Sequence, residues 1–351
     1  MIETKFDWDD ILLMPDESTL IQSRFKDISL EYNPLFTAPM DTVVSVANYE
    51  RFQELGINVC LPRGAENLDF YADDPNIFRS MSLKDFKETY IDRKVSPMYN
   101  ICIDTANGHI STLPDAIIHF KSLHGDKFKL MVGNIANPKT LEILSKAGAD
   151  YCRVGIGNGS GCLTTQQSAV GYPMGSLIYD CYKLKTQKDL NIKIVADGGF
   201  KEYADIIKAL ALGADYVMLG GMFNKTLESC APTYMGNKDH GSWKEAGELI
   251  DQYDSQYATM MKHGMKFYKK FRGMSTKEVQ RAWGVDESKI RTSEGVNRIN
   301  EVTDTLAGWH DNFDHYLRSA MGYCGAENFA SFIGQASWNL ITPSALSRFK
   351  K

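Results

Sequence analysis

The 351-residue sequence predicts a closed (β/α)8 barrel of the TIM type, with a helical excursion at 231–271 and a mobile flap at 276–295. Three observations lead there. Short, almost continuous apolar runs alternate with helical patterns, as strands do when a parallel sheet buries both faces. Nearly every run ends in small or polar residues ("PMDT", "DTANG", "GN", "GIGNGSG", "ADGG", "LGG"). Barrel sites are assembled from such C-terminal strand ends. A Gly-Ala-Asp-Tyr core also recurs, in "SKAGADYCRVG" (145–155) and "ALALGADYVMLG" (209–220), each time closing a helical pattern and opening an apolar run. An open doubly wound sheet is the alternative, but it would concentrate its glycines after the first strand.

The elements follow in chain order. "MYNICIDTANG" (98–108) reads as a strand, followed by a helix over 113–124. "KLMVGN" is the next strand. The helix after it starts at "NPKT", where Asn137 can cap and Pro138 suits the first turn. Leu141, Leu144 and Ala147 recur at helical spacing, and Gly148 ends the helix. "YCRVGIG" and "KIVADGG" are strands. A helix over about 201–212 turns Tyr203, Ile206, Ile207 and Leu210 inward and stops at Gly213, and "YVMLGG" closes the series. Charge and helix formers dominate 231–271, which predicts helices projecting from the barrel. The polar, glycine-containing 276–295 predicts a flap. No low-complexity linker marks a second unit, so 1–351 reads as one barrel domain without an inserted regulatory domain.

Bulk properties exclude several classes. A net charge of −5 offers no basic footprint for nucleic acid or an anionic membrane. No apolar run reaches the roughly eighteen residues of a membrane span. "MIETKFDWDD" lacks the regions of a signal peptide. The seven cysteines are odd in number, irregularly spaced and free of CxxC, so a reduced, cytoplasmic protein is expected. The seven histidines form no HExxH, which argues against zinc. His310 and His315 read as a solvated helix surface.

Two features carry chemistry. "ADGG" (196–199) and "LGGM" (219–222) end consecutive strands in Gly-Gly, a pattern that favours a phosphate cradle of backbone N–H groups over ordinary turns. Asp197 would repel a phosphate and suits ribose hydroxyls instead. Cys162 lies in "GNGSGCLTTQQ", a polar glycine-rich loop where a packed core cysteine is not expected. By itself the pattern fits a loop nucleophile or a small inert turn residue equally well.

In order along the chain, "FDWDDILLMP" (6–15), "PMDTV" (39–43), "DTANGH" (104–109), "VGN" (132–134), "GIGNGSGCLTT" (155–165), "VGYP" (170–173), "ADGG", "LGGM", "GMS" (273–275), "RTSEG" (291–295) and "MGYCGA" (321–326) resemble the GMP reductase and IMP dehydrogenase family. The resemblance implies the barrel fold and a purine nucleoside monophosphate substrate. It implies that Cys162 attacks purine C2, with Thr164 and Glu294 handling protons. "VGYP" aligns Thr164 with the family's catalytic threonine and puts Thr165, kept in reserve, where an arginine is usual. Ser160, Gly199, Gly220 and Gly221 would contact phosphate and Asp197 the ribose. Gly273, Met274, Ser275 and Arg291 would line the nucleotide site. Asp104 and Asn107 would lie near the nicotinamide, with Arg63 standing in for a family lysine. Carbonyls around Gly157, Gly159 and Cys162 resemble a potassium site. NADPH is the implied cofactor and a homotetramer the implied assembly. "RTSEG", "LGGM" and the short chain favour GMP reduction. The alternatives are an IMP dehydrogenase lacking its regulatory domain, a reductase of a modified or deoxy purine nucleotide, and a non-enzymatic nucleotide-binding protein.

Overall fold

The structure is a computed structural model that describes residues 3–65, 77–236, 245–282, 286, 288, 290 and 295–349. Parallel strands β2 (Leu35–Thr37), β3 (Val59–Leu61), β4 (Ile77–Met81), β5 (Asn100–Asp104), β6 (Leu130–Ile135), β7 (Tyr151–Val154), β8 (Lys193–Asp197) and β9 (Tyr216–Leu219) form the barrel. They hydrogen-bond in the order β2-β9-β8-β7-β6-β5-β4-β3. A parallel bridge from Phe36 to Asn58 and the Thr37 N to Asn58 O bond of 3.0 Å bring β2 onto the β3 edge. The first strand, β1 (Ile11–Leu13), pairs antiparallel with β14 (Trp338–Leu340) outside the barrel.

Side chains fill the barrel axis in layers, as tilted parallel strands require. Phe36, Phe78, Tyr151 and Tyr216 plug the interior, with neighbouring ring centroids 5.2–5.7 Å apart. Cys60, Cys102, Met131, Val195 and Met218 pack among them. Two residues further along their strands stand Asp104, Gly133, Arg153 and Asp197, so the layer facing the C-terminal mouth is polar. The outward faces are Val, Ile and Leu, covered by helices Thr112–His124, Pro138–Ala147, Met174–Gln187, Tyr203–Ala211 and Leu306–Tyr323.

The helix after β6 begins and ends as its sequence predicts. Asn137 accepts from the Lys139 N–H, Pro138 occupies the first turn, and Gly148 closes it at φ +101°. The Gly-Ala-Asp-Tyr repeat is a structural device at the barrel's far end. Asp150 accepts from Leu130 N–H, Lys121 and Lys129, and Asp215 accepts from Ile194 N–H, Lys185 and Lys193. Each aspartate thus ties the start of the neighbouring strand to two lysines. Each following tyrosine enters the plug.

The expected helical excursion is corrected. β10 (Thr233–Gly236), β11 (Gly247–Ile250), β12 (Phe267–Arg272) and β13 (Asn297–Glu301) form an antiparallel sheet in the order β11-β10-β12-β13. Among the described residues of 231–271, Ser255–Lys262 is the only helix. Lysine, glutamate and methionine favour helix locally, but propensity is weak against tertiary pairing. β12 is paired on both edges and buries Phe267, Tyr268, Lys269 and Phe271. Lys269 donates to Ser229 O at 2.7 Å and Thr233 Oγ1 at 2.6 Å, and burial pulls its pKa down to about 7. Buried Asn224 donates to the carbonyls of Thr42 and Lys270, each at 2.8 Å, and accepts from Asn300, binding the sheet to the mouth. His310 is half-buried and 2.8 Å from Asn33 Nδ2, whereas His315 is exposed as expected.

Asp215→Ala should cost about 2–3 kcal/mol in urea unfolding, since it strips a buried N–H and two lysines of their acceptor. Far from the mouth, it should leave ligand binding by the folded protein intact.

Candidate active site

A cavity of about 380 Å³ opens at the C-terminal end of the barrel. Its floor is the polar layer. Arg153, 6% exposed, donates from Nη1 to Asp104 Oδ1 at 2.7 Å. Its Nε and Nη2 donate to Asp197 Oδ2 at 3.0 and 2.8 Å. Arg63 closes the chain, donating from Nε to Asp104 Oδ2 at 3.0 Å. Two guanidinium groups therefore match two carboxylates. Burial alone would raise the Asp104 pKa, but Arg153 and then Arg63 hold it below the ordinary carboxylate range. Burial likewise opposes charge on Arg153, and Asp197 with Asp104 outweighs it, so the guanidinium stays protonated.

The neighbouring backbone is shaped around this arginine. A Cβ on Gly133 would stand 2.5 Å from the Arg153 Cβ, so "VGN" needs its glycine for the arginine to pass. Asn134 then donates to Gly155 O at 2.9 Å and Asp197 Oδ2 at 2.7 Å. Asn158 donates to Asp197 O at 2.9 Å, pinning the cysteine loop to the end of β8.

Cys162 is half-buried at the cavity wall. Its Sγ is 3.2 Å from Thr164 Oγ1, and its N–H bonds Gly159 O at 2.9 Å. Thr165 points elsewhere, donating to Val170 O at 2.7 Å. Cys162 also pairs with Gly295 in an isolated antiparallel bridge, and Val296 N–H donates to Gly161 O at 3.1 Å. Three glycines from separate segments meet here. A Cβ on Gly161 would lie 3.2 Å from Gly273 Cα, and one on Gly273 would lie 3.1 Å from Gly295 Cα.

Most of the residues expected at the site line this one cavity. Ser160, Gly199, Gly220 and Gly221 form one side. Gly273, Met274 and Ser275 approach from the end of β12, and Arg63 and Asp104 complete the wall. Gly157 and Gly159 lie in the cysteine loop. Asn107 is not among the lining residues, and its Oδ1 accepts from His109 N–H at 3.1 Å within its own turn. Glu294 and Arg291 lie outside the described residues, as does much of 276–295; its described part includes the helix Lys277–Ala282. Arg153, Asn134 and Asn158 escaped the sequence reading. The signal for Arg153 was a charge inside an apolar strand.

No cluster of three His, Cys, Asp or Glu side chains able to hold a metal occurs among the described residues. The carbonyls of Gly157, Gly159 and Cys162 are hard oxygen donors, which fit an alkali cation better than a transition metal. A nicotinamide would fit the polar wall of Arg63, Asp104, Thr105 and Ala106, where both charges are already paired.

Fold and site together define a (β/α)8 barrel that presents a cysteine loop over a glycine-lined cavity. The IMP dehydrogenase / GMP reductase domain matches residues 95–349, and the chain belongs to that family. It is 30% identical over 355 residues to the GMP reductase of Aliivibrio fischeri (strain MJ11), covering 92% of this chain and 91% of that protein. It is 27% identical over 345 residues to the GMP reductase of Phytophthora infestans, covering 92% and 87%. The inosine-5′-monophosphate dehydrogenase of Methanocaldococcus jannaschii is 33% identical over 246 residues, 70% of this chain and 46% of that protein.

Arg153→Met should destabilise the fold by about 3–5 kcal/mol in urea, because it leaves two buried carboxylates short of their cation. In the native protein the stabilising contribution of Asp104 is complete above about pH 4, its unfolded value. It is lost as pH falls through the lower native pKa. In Arg153→Met, acid unfolding should begin at a higher pH.

Proposed function

We propose that this protein reduces GMP to IMP and ammonia with NADPH, through a thioimidate joining Cys162 Sγ to purine C2. The observation that carries this reading is the Cys162 Sγ to Thr164 Oγ1 contact of 3.2 Å at the cavity wall. Similarity to GMP reductases over most of the chain supports it.

In this mechanism the Cys162 thiolate adds to C2 and the 2-amino group leaves as ammonia. Thr164 is within hydrogen-bond reach of the sulfur and passes a proton to the departing amine. Glu294 is the proposed partner of Thr164. Bound NADPH would supply the hydride that C2 then takes, and the thiolate is expelled as IMP forms. The balance is GMP, NADPH and two protons giving IMP, NADP⁺ and ammonium. Asp197 is suited to the ribose because its three side-chain donors all converge on Oδ2. The glycine loops at 198–199 and 220–221, with the Ser160 hydroxyl, suit the 5′-phosphate. A potassium ion on the carbonyls of Gly157, Gly159 and Cys162 would hold the cysteine loop in shape.

The second reading is oxidation of IMP by NAD, favoured by the 33% identity to an IMP dehydrogenase. The same cysteine and nucleotide site would serve it. Reductases of modified purine nucleotides share the chemistry and differ in the base accepted.

Incubation with GMP and NADPH in potassium buffer should consume NADPH and release ammonia in equal amounts. Cys162→Ala should abolish both. Thr164→Val should lower kcat by about 10²- to 10⁴-fold, the usual range for a proton-transfer group, and Thr165→Val far less. NAD reduction with IMP, and none of NADPH loss with GMP, would install the second reading instead.

A further inference from the structure

Arg298 is a cation beside the mouth, touching the cavity-lining Ser160 and Phe271, that neither the ion network nor the proposed chemistry uses. It sits on β13 directly opposite Phe271 of β12. Its guanidinium carbon lies 4.6 Å from the Phe271 ring centre, a stacked cation–π position. Nε donates to Asn300 Oδ1 at 3.0 Å, and Nη1 donates to Ser160 O at 3.2 Å. Asn300 is itself buried and held by Asn224, so the guanidinium plane is fixed from behind.

The remaining nitrogen faces the glycine loops. Nη2 lies 3.7 Å from the point where a Cβ on Gly221 would stand. Ser160 Oγ lies 2.6 Å from the same point. A hydroxyl and a guanidinium thus converge on Gly221 from two directions. No carboxylate forms an ion pair with Arg298 among the described residues. The two acidic groups lining the cavity floor, Asp104 and Asp197, are already matched by Arg63 and Arg153. Burial pushes the Arg298 pKa down without a compensating acid. A partly desolvated, preorganised cation beside glycine N–H groups is unfavourable alone and favourable once an anion arrives.

We propose that Arg298 completes an anion subsite with Ser160 and Gly221 and binds the 5′-phosphate dianion of the nucleotide substrate. This rests on the nucleotide reading above for the identity of the ligand, though the cationic subsite itself does not. Asn300 and Ser160 O hold the guanidinium plane so that Nη2 is aimed at the phosphate, an orientation that the single rotatable ammonium of a lysine lacks, so the residue selects nucleotides over nucleosides.

The test is calorimetric titration of the full chain and of Arg298→Met and Arg298→Lys with GMP, guanosine, NADPH and inorganic phosphate. Methionine keeps an apolar stem over Phe271. Arg298→Met should weaken GMP and phosphate by about 10- to 100-fold, the span of a charge-assisted hydrogen bond. Guanosine affinity should stay unchanged, and Arg298→Lys should fall between. Equal loss for GMP and guanosine, no loss for either, or a loss confined to NADPH would overturn the proposal. If the unsubstituted chain binds phosphate in an Arg298-dependent way but no purine monophosphate, the subsite stands and the purine reading falls. If it binds neither, both fall. Should Arg298→Met fail to fold, Arg298→Lys decides: a loss for GMP alone supports the subsite, and an unchanged GMP affinity overturns it.

Discussion

The site depends on one buried arginine. Arg153 on β7 reaches Asp104 on β5 and Asp197 on β8, joining the ends of three strands through charge-assisted bonds. Removing a guanidinium from water is expensive and is offset only when its donors find acceptors of matching geometry. Its neighbours satisfy that condition. Gly133 gives the side chain room, Asn134 completes the bonds to Asp197, and Arg63 balances the second charge on the floor. The cavity floor is consequently neutral in sum and rigid in detail. That combination suits a surface that must orient a polar ligand without capturing every passing ion.

Above that floor the walls come from distant stretches of chain. Asn158 ties the cysteine loop to β8, Val296 ties it to the start of β13, and Asn224 ties the four-stranded sheet to the barrel rim. The added sheet therefore does more than decorate the β9 end of the barrel. Phe271 and Arg298, facing each other across the paired strands β12 and β13, border the glycine loops. The sheet is the wall that closes the mouth beside the glycine loops.

The barrel strands from β5 to β9 were legible because apolar runs ending in glycine and polar residues are local signals, whereas the short β3 and β4 were not read from the sequence. The helix from Pro138 to Ala147 was legible from its cap, its first-turn proline and its closing glycine. The same strand-end logic pointed to Asp197 and the glycines of 198–199 and 220–221, while Cys162 stood out by its polar loop and Ser160 and 273–275 by the family resemblance; all of them line the cavity. What failed was non-local. Arg153 reads as one charge in an apolar run until Asp104 and Asp197, 49 and 44 residues away, are brought beside it. The sheet at 233–301 hid behind helix-favouring composition because β10, β12 and β13 stabilise one another only once paired. Arg298 gave no sign of its place, since its Ser160 contact spans 138 residues.

The contact among Gly161, Gly273 and Gly295 has a consequence of another kind. Main chain approaches main chain there, with the Phe271 ring 2.7 Å from where a Gly161 Cβ would stand and the Thr276 Cγ2 2.8 Å from where a Gly295 Cβ would stand. Such a junction has no room for a Cβ at any of the three positions, so replacing one of these glycines must displace backbone or the side chains packed beside it. The position of the thiol is tied to glycine at three separate places along the chain. Any divergence in substrate choice must then be written into the walls that face the thiol, while the thiol itself holds still.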